Sequence, residues 1–183
     1  LGYIPKELPP PFESVTFSDK IDTINTAWNA KFNTLSRPNR LNYKESKWVV
    51  FSIPKVNLSR RIINIPNPLH QSKLCKTIAD KWVEIQNIFS KSKISSSYPI
   101  EDIKKNRAVI TKDNFGEFKS RRLNESFDNL YEVKTDISRF YGTIYTHSIP
   151  WLVHTKPTAK ANRDDFSLLG NALDRDLRNS NSG

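Results

Sequence analysis

From Ser18 to Leu35, the apolar positions Ile21, Ile24, Ala27, Trp28, Phe32 and Leu35 recur three or four residues apart. This spacing predicts an amphipathic helix with Ser18 as its N-cap. After the break at "SRPNR", the runs "KWVVFSIPK" (47–55) and "RRIINIP" (60–66) are short and β-rich, and they predict a hairpin. Its tip would gather Lys55, Arg60 and Arg61. Pro68 then opens a second helical pattern, in which Leu69, Leu74, Ile78, Trp82, Ile85 and Phe89 mark one side through residue 92. A single long helix packed on the hairpin is expected there, with Cys75 as a small core residue. "SKSKISSSYP" reads as a polar loop, "RAVITK" as a short strand and residues 114–130 as an irregular or helical segment. Alternation in "YEVKTDI" (131–137) is that of a strand. Helical pattern returns in "HSIPWLVH" and again in "FSLLGNALDRDLR". The Pro-rich residues 1–13 are expected to be extended.

The chain has 183 residues, 37% of them hydrophobic, which suffices for a core and excludes wholesale disorder. No apolar run approaches the roughly 18 residues of a membrane span. A lone Cys75 and scattered histidines provide neither an internal disulfide nor a tetrahedral zinc set, and they favour a reducing, cytoplasmic setting. The net charge is +10, and residues 51–130 hold 15 Lys+Arg against 8 Asp+Glu. Such an excess suits a polyanion partner, because each neutralised phosphate releases counterions. It suits simple solubility equally well.

In this basic chain Asp136 stands out, closing the strand-like run just before Phe140 and Tyr141. Judged by spacing alone, it caps the turn that begins "SRFYG". A carboxylate at a strand end can also hold Mg²⁺, a hard cation that takes one or two protein carboxylates and completes its shell with phosphates and water.

The run "TDISRFYGTIYTHSIPW" resembles motif A of bacterial reverse transcriptases, in particular the abortive-infection, defence-associated branch. "RRIINIPNPLHQSKL" is similar to the fingers segment of that family, and "LGYIPKELPPPF" to its opening, so the resemblance covers nearly the whole chain in the expected order. It implies an α+β fold in which residues 1–130 form helix-rich fingers with a basic hairpin, and residues 131–183 form the start of the palm. It also implies Asp136 as catalytic metal ligand, with the carbonyl of Ile137 beside it, Mg²⁺ or Mn²⁺ as cofactor, and Tyr141 as a steric gate favouring deoxynucleotides. Arg61, and after it Arg60 and Lys55, would grip the incoming triphosphate, a task suited to the planar guanidinium fork. Without the resemblance, Tyr141 reads as a core tyrosine and the basic residues as a solvated hairpin tip. Phe140 is expected to pack inward. His147 reads as structural, since phosphoryl transfer needs mainly positioning and charge stabilisation.

Asp164 and Asp165 are not a motif C pair, because they lack a Tyr-x-Asp-Asp setting and flanking apolar strands; they read as the N-cap region of the last helix. Motifs B and C do not occur within these residues, and one carboxylate cannot hold two metal ions. The chain is therefore expected to be the N-terminal part of an RNA-directed DNA polymerase and to be inactive alone. Its partners would be a nucleic-acid template and primer and deoxynucleoside triphosphates, with no membrane. Self-association through an unpaired strand edge is also expected. The rival reading is a non-catalytic basic nucleic-acid-binding module that works by charge and stacking.

Overall fold

The computed structural model describes residues 19–36, 38–39, 46–55, 58–92, 95, 98–102, 109–137 and 140–181. Ser18 and the Pro-rich residues 1–13 lie outside the described residues. In chain order the elements are α1 (Ile21–Thr34), β1 (Val49–Pro54), β2 (Arg60–Ile65), α2 (Pro68–Asp80), α3 (Trp82–Ser90), β3 (Pro99–Glu101) and β4 (Val109–Thr111). They continue with α4 (Phe115–Ser126), α5 (Phe140–Thr143), α6 (Ser148–His154), α7 (Lys156–Ala161) and α8 (Leu169–Asn181). This mixture of helices with small antiparallel sheets is α+β. Contacts group the chain into two compact units, one spanning Ile85–Ile144 and one combining the residues up to Glu84 with those from Tyr145 onward.

In the discontinuous unit, α8 is the central element, and it packs against both α2 and α6. Leu169, Ala172, Asp176 and Ser180 recur along one side of α8 and are all buried. The core therefore contains unusual polarity, and Asp176 is paired through both of its oxygens. Thr77 Oγ1 donates to Asp176 Oδ2 at 2.6 Å, while Arg175 Nε donates to Asp176 Oδ1 at 2.7 Å. Such pairing is what allows a carboxylate to be buried without a prohibitive desolvation cost.

The helix expected to run unbroken from Pro68 to residue 92 divides at Lys81 into α2 and α3. Asn67 caps α2 by accepting from the Leu69 amide at 3.0 Å, and Pro68 occupies the first turn, where its missing N–H is no loss. The principal partner of α2 is α8 rather than the hairpin. His70 and Leu74 form the buried stripe, with half-buried Thr77 next along it. Cys75 is one position off that stripe and is exposed, so it is not the core residue expected. His70 accepts or donates at Nδ1 with Ser46 Oγ at 2.6 Å, and its ring meets Trp28 edge-on.

The hairpin forms as expected, antiparallel from Val49↔Ile65 to Pro54↔Arg60. In the unit spanning Ile85–Ile144, β3 pairs with β4 over three residues each. There α4 begins with a reciprocal capping box between Asn114 and Glu117. No described residue between Ile85 and Ile144 is buried, and Phe115, Leu123 and Phe127 are exposed. The segment "YEVKTDI" forms no strand: residues 131–137 are irregular and all exposed. Its alternation is real, but a strand exists only where a neighbour satisfies its backbone, and no described strand pairs with this one. Arg122 pairs instead with Glu132 and holds the Glu132 carboxyl below its usual range.

Candidate functional site

The residues singled out in the sequence fall in both units. Asp136 is exposed in the irregular segment before α5, and Ile137 follows it at 64% exposure. Phe140 opens α5 and is half exposed, not packed inward as expected. Tyr141 lies in α5, and its side chain is outside the described set. Among the described residues no group of three or more His, Cys, Asp or Glu side chains gathers as a metal cage. One open carboxylate with a neighbouring carbonyl fits Mg²⁺ only where phosphate or additional carboxylates complete the shell.

On the hairpin, Arg60 and Arg61 are consecutive strand residues and so point to opposite faces of the ribbon. They do not form the cluster expected at the tip. Arg60 reaches diagonally across the ribbon, with Nε donating to Ser52 Oγ at 2.9 Å and Nη2 to the Ser52 carbonyl at 3.0 Å. Arg61 is opposite Ile53, on the face that carries half-buried Phe51 and Ile63. Lys55 is exposed in the connecting loop, where its amide donates to the Ser59 carbonyl at 2.8 Å. Two guanidinium groups on opposite faces cannot both hold one phosphate, so at most one of them can serve a given ligand.

A pocket absent from the sequence reading lies within the discontinuous unit. Its volume is about 660 Å³, and it is lined by Tyr145, His147 and Trp151, by Lys160 at the end of α7 with Arg163 and Phe166 of the following turn, and by α8. The close approach of α8 to α6 positions these walls, with the Gly170 amide donating to His154 Nε2 at 3.0 Å. Asn171 fixes the turn through Nδ2, which donates to the carbonyls of Asn162 at 2.7 Å and Asp165 at 3.2 Å. Asp164 is exposed beside Arg163, and Asp165 accepts from the Ser167 amide at 2.9 Å. Hydrogen bonds from the Ser167 hydroxyl and amide keep the Asp165 carboxyl below its usual range, with Lys81 adding to the effect. Asp165 thus organises the turn leading to the last helix, while Asp164 stays exposed beside Arg163.

At the pocket floor His147 Nδ1 meets Asp174 Oδ2 at 2.8 Å, and Arg178 Nε approaches the same oxygen at 3.4 Å. The other oxygen, Asp174 Oδ1, is buried with no hydrogen-bond partner among the described residues. Tyr145 lies edge-on to both His147 and Trp151, at centroid distances of 5.0 and 5.6 Å. Phe166 carries the Arg175 guanidinium 4.5 Å from its ring centre.

Neither the family models nor the curated proteins with which the chain was compared match it. No helix of the described residues is long and apolar enough to cross a membrane.

Sequence reasoning identified His147 as structural, and its bond to Asp174 gives it such a role. It missed the pocket because the contributing residues, from Tyr145 to Arg178, form no motif and meet only through the packing of α6, the turn and α8. The faint signal available was the interleaving of aromatic with basic residues in "YTHSIPW" and "KANRDDF".

Proposed function

We propose that this chain is the N-terminal part of an RNA-directed DNA polymerase of the defence-associated kind, comprising fingers and the start of the palm. The observation that carries the reading is the run from Asp136 to Trp151, "DISRFYGTIYTHSIPW", with its motif A order of carboxylate, aromatic pair and following helix. Exposure of Asp136 supports it, since a metal ligand must be reachable by a triphosphate. In the intact polymerase Asp136 and the Ile137 carbonyl would contribute part of a Mg²⁺ shell. Arg61, and after it Arg60 and Lys55, are the candidates for the triphosphate, as the resemblance of the fingers segment implies. These 183 residues supply one motif carboxylate and would not polymerise alone.

The deciding experiment is primer extension by the intact polymerase on a primed RNA template with labelled deoxynucleotides. Asp136→Ala should abolish synthesis while leaving template binding nearly unchanged. Synthesis by that variant at the parental rate would refute the reading. The net charge of +10 favours the alternative of a non-catalytic nucleic-acid-binding module. In that case Arg61→Ala would weaken binding and flatten its salt dependence, and Asp136→Ala would change nothing.

A further inference from the structure

The geometry points to the outer edge of β2 as a strand-addition site for an acidic, extended peptide segment, a function independent of the polymerase reading. The Lys55 amide donates to the Ser59 carbonyl at 2.8 Å, which makes these two residues a hydrogen-bonded pair of the ladder. In an antiparallel ladder such pairs alternate with pairs whose amides and carbonyls turn outward. By the register, Pro54, Ser52 and Val50 therefore turn theirs away from β2, while Arg60, Ile62 and Asn64 turn theirs away from β1. Pro54, which has no N–H to contribute, stands at one of these outward positions. Among the described residues the sheet has only these two strands, so each has an outer edge on which a third could pair.

The two edges differ. On β1 the outward Ser52 carbonyl already accepts from Arg60 Nη2 at 3.0 Å, and Pro54 supplies no donor, so that edge is blunted in the ways edge strands usually are. On β2 there is no proline, and Ile62 at its centre is 68% exposed. Charge then selects the occupant. Between residues 46 and 79 the sequence holds six lysines and arginines and no aspartate or glutamate, so a second copy of the hairpin would bring like charge and an acidic strand brings the opposite. A peptide backbone also matches the alternating donors and acceptors of the edge, whereas a phosphodiester backbone offers acceptors alone. Side chains directly opposite each other share a face, so an antiparallel partner sets apolar residues beside Ile63 and Ile62 and acidic ones beside Arg61 and Arg60. Read from its own N-terminus, the segment recognised carries two apolar residues followed directly by two acidic ones.

The test titrates the 183-residue chain into a short fluorescein-labelled peptide, Thr-Val-Val-Glu-Glu-Thr, and follows its anisotropy. A saturable rise with a dissociation constant below about 1 mM is expected. The same peptide N-methylated at the two residues that face Ile62 and Arg60 keeps its charge but loses two ladder donors, and it should bind at least about tenfold more weakly. Asn64→Pro removes an outward N–H that the hairpin itself does not use. That variant should retain the parental circular-dichroism spectrum and bind the peptide about fivefold more weakly. The comparison of the two peptides is made on the parental chain, so it decides the matter even where the variant fails to fold. The proposal is overturned by the absence of a saturable rise, or by parental affinity in folded Asn64→Pro. Equal affinity for the N-methylated peptide also overturns it, since the attraction is then the charge attraction that any polyanion, nucleic acid included, would receive. So does a sedimentation mass that climbs to that of a dimer with protein concentration and is unmoved by the peptide, which would give the edge to a second copy.

Discussion

Gly170→Ala opposes two effects whose signs differ, which makes it a sharp test of how α8 packs. Gly170 is the second residue of α8 and lies where that helix meets α6. In a helix, alanine is favoured over glycine by about 1 kcal/mol. A Cβ at this position, however, would stand 2.5 Å from Pro150 Cα and 3.0 Å from both Pro150 Cβ and His154 Cδ2. Ordinary carbon–carbon contact is about 3.5–4.0 Å, so the helices would have to separate by roughly 1 Å. The main obstacle is the backbone of buried Pro150, which cannot rotate away as a long side chain would. Overpacking of this kind costs about 1–3 kcal/mol, and the upper end applies here. Separation would also lengthen the Gly170 amide bond to His154 Nε2, now 3.0 Å. Subtracting the propensity gain leaves a net loss of about 2 kcal/mol. Urea unfolding followed by tryptophan emission reads this unit, because all four tryptophans, Trp28, Trp48, Trp82 and Trp151, belong to it. A variant at or above parental stability would refute the close approach of α6 and α8 and, with it, the geometry of the pocket. Gly142→Ala lies in the other unit, with nothing within 4 Å of its added Cβ, and should leave this tryptophan-detected transition unchanged.

The remaining predictions concern the same unit. Thr155 joins α6 to α7 at φ 69° and ψ 154°, a region costly for any residue with a Cβ, and its side chain caps no α7 backbone amide, meeting only the exposed Thr158 hydroxyl at 3.2 Å. Thr155→Gly should therefore stabilise by about 1–2 kcal/mol in urea unfolding, and a loss of that size would refute the strain. Asp176→Ala should destabilise by roughly 3 kcal/mol, because it leaves the Thr77 hydroxyl and Arg175 without their acceptor; a change below about 1 kcal/mol would show that the buried pairs are not formed. Asn67→Ala should cost about 1 kcal/mol through loss of the α2 cap, while Asn67→Asp should recover most of it. Lys73 is half-buried, and desolvation lowers its pKa despite opposing attraction from Asp176. Between that lowered value and the ordinary 10.5 the unfolded chain binds more protons, so this group's contribution should rise with pH across that window. Lys73→Met should remove that rise from alkaline urea titrations.

Much of the local structure was legible in the sequence, because it depends on neighbours a few residues apart. The hairpin from Val49 to Ile65, the Asn67–Pro68 helix start and the amphipathic helix at Ile21–Thr34 all follow from patterning, capping and turn chemistry. So does the order of residues from Asp136 to Trp151 on which the polymerase proposal rests. Tertiary structure decided the rest. Alternation in residues 131–137 matched a strand, but pairing depends on a partner elsewhere in the chain, and none is present among the described strands. The division at Lys81 carries no glycine or proline signal, and Lys81 Nζ instead reaches the distant Ser167 carbonyl at 2.9 Å. Arg60 and Arg61 are adjacent in sequence, yet the pleat sends them to opposite faces. Burial of Asp174 and Asp176 contradicts their polarity and becomes affordable only when α8 brings them to His147, Arg178, Thr77 and Arg175. Hydrophobic periodicity ranks residues by their own affinity for water, whereas the cost of burying a charge is set by its partners, and those partners are up to 99 residues away.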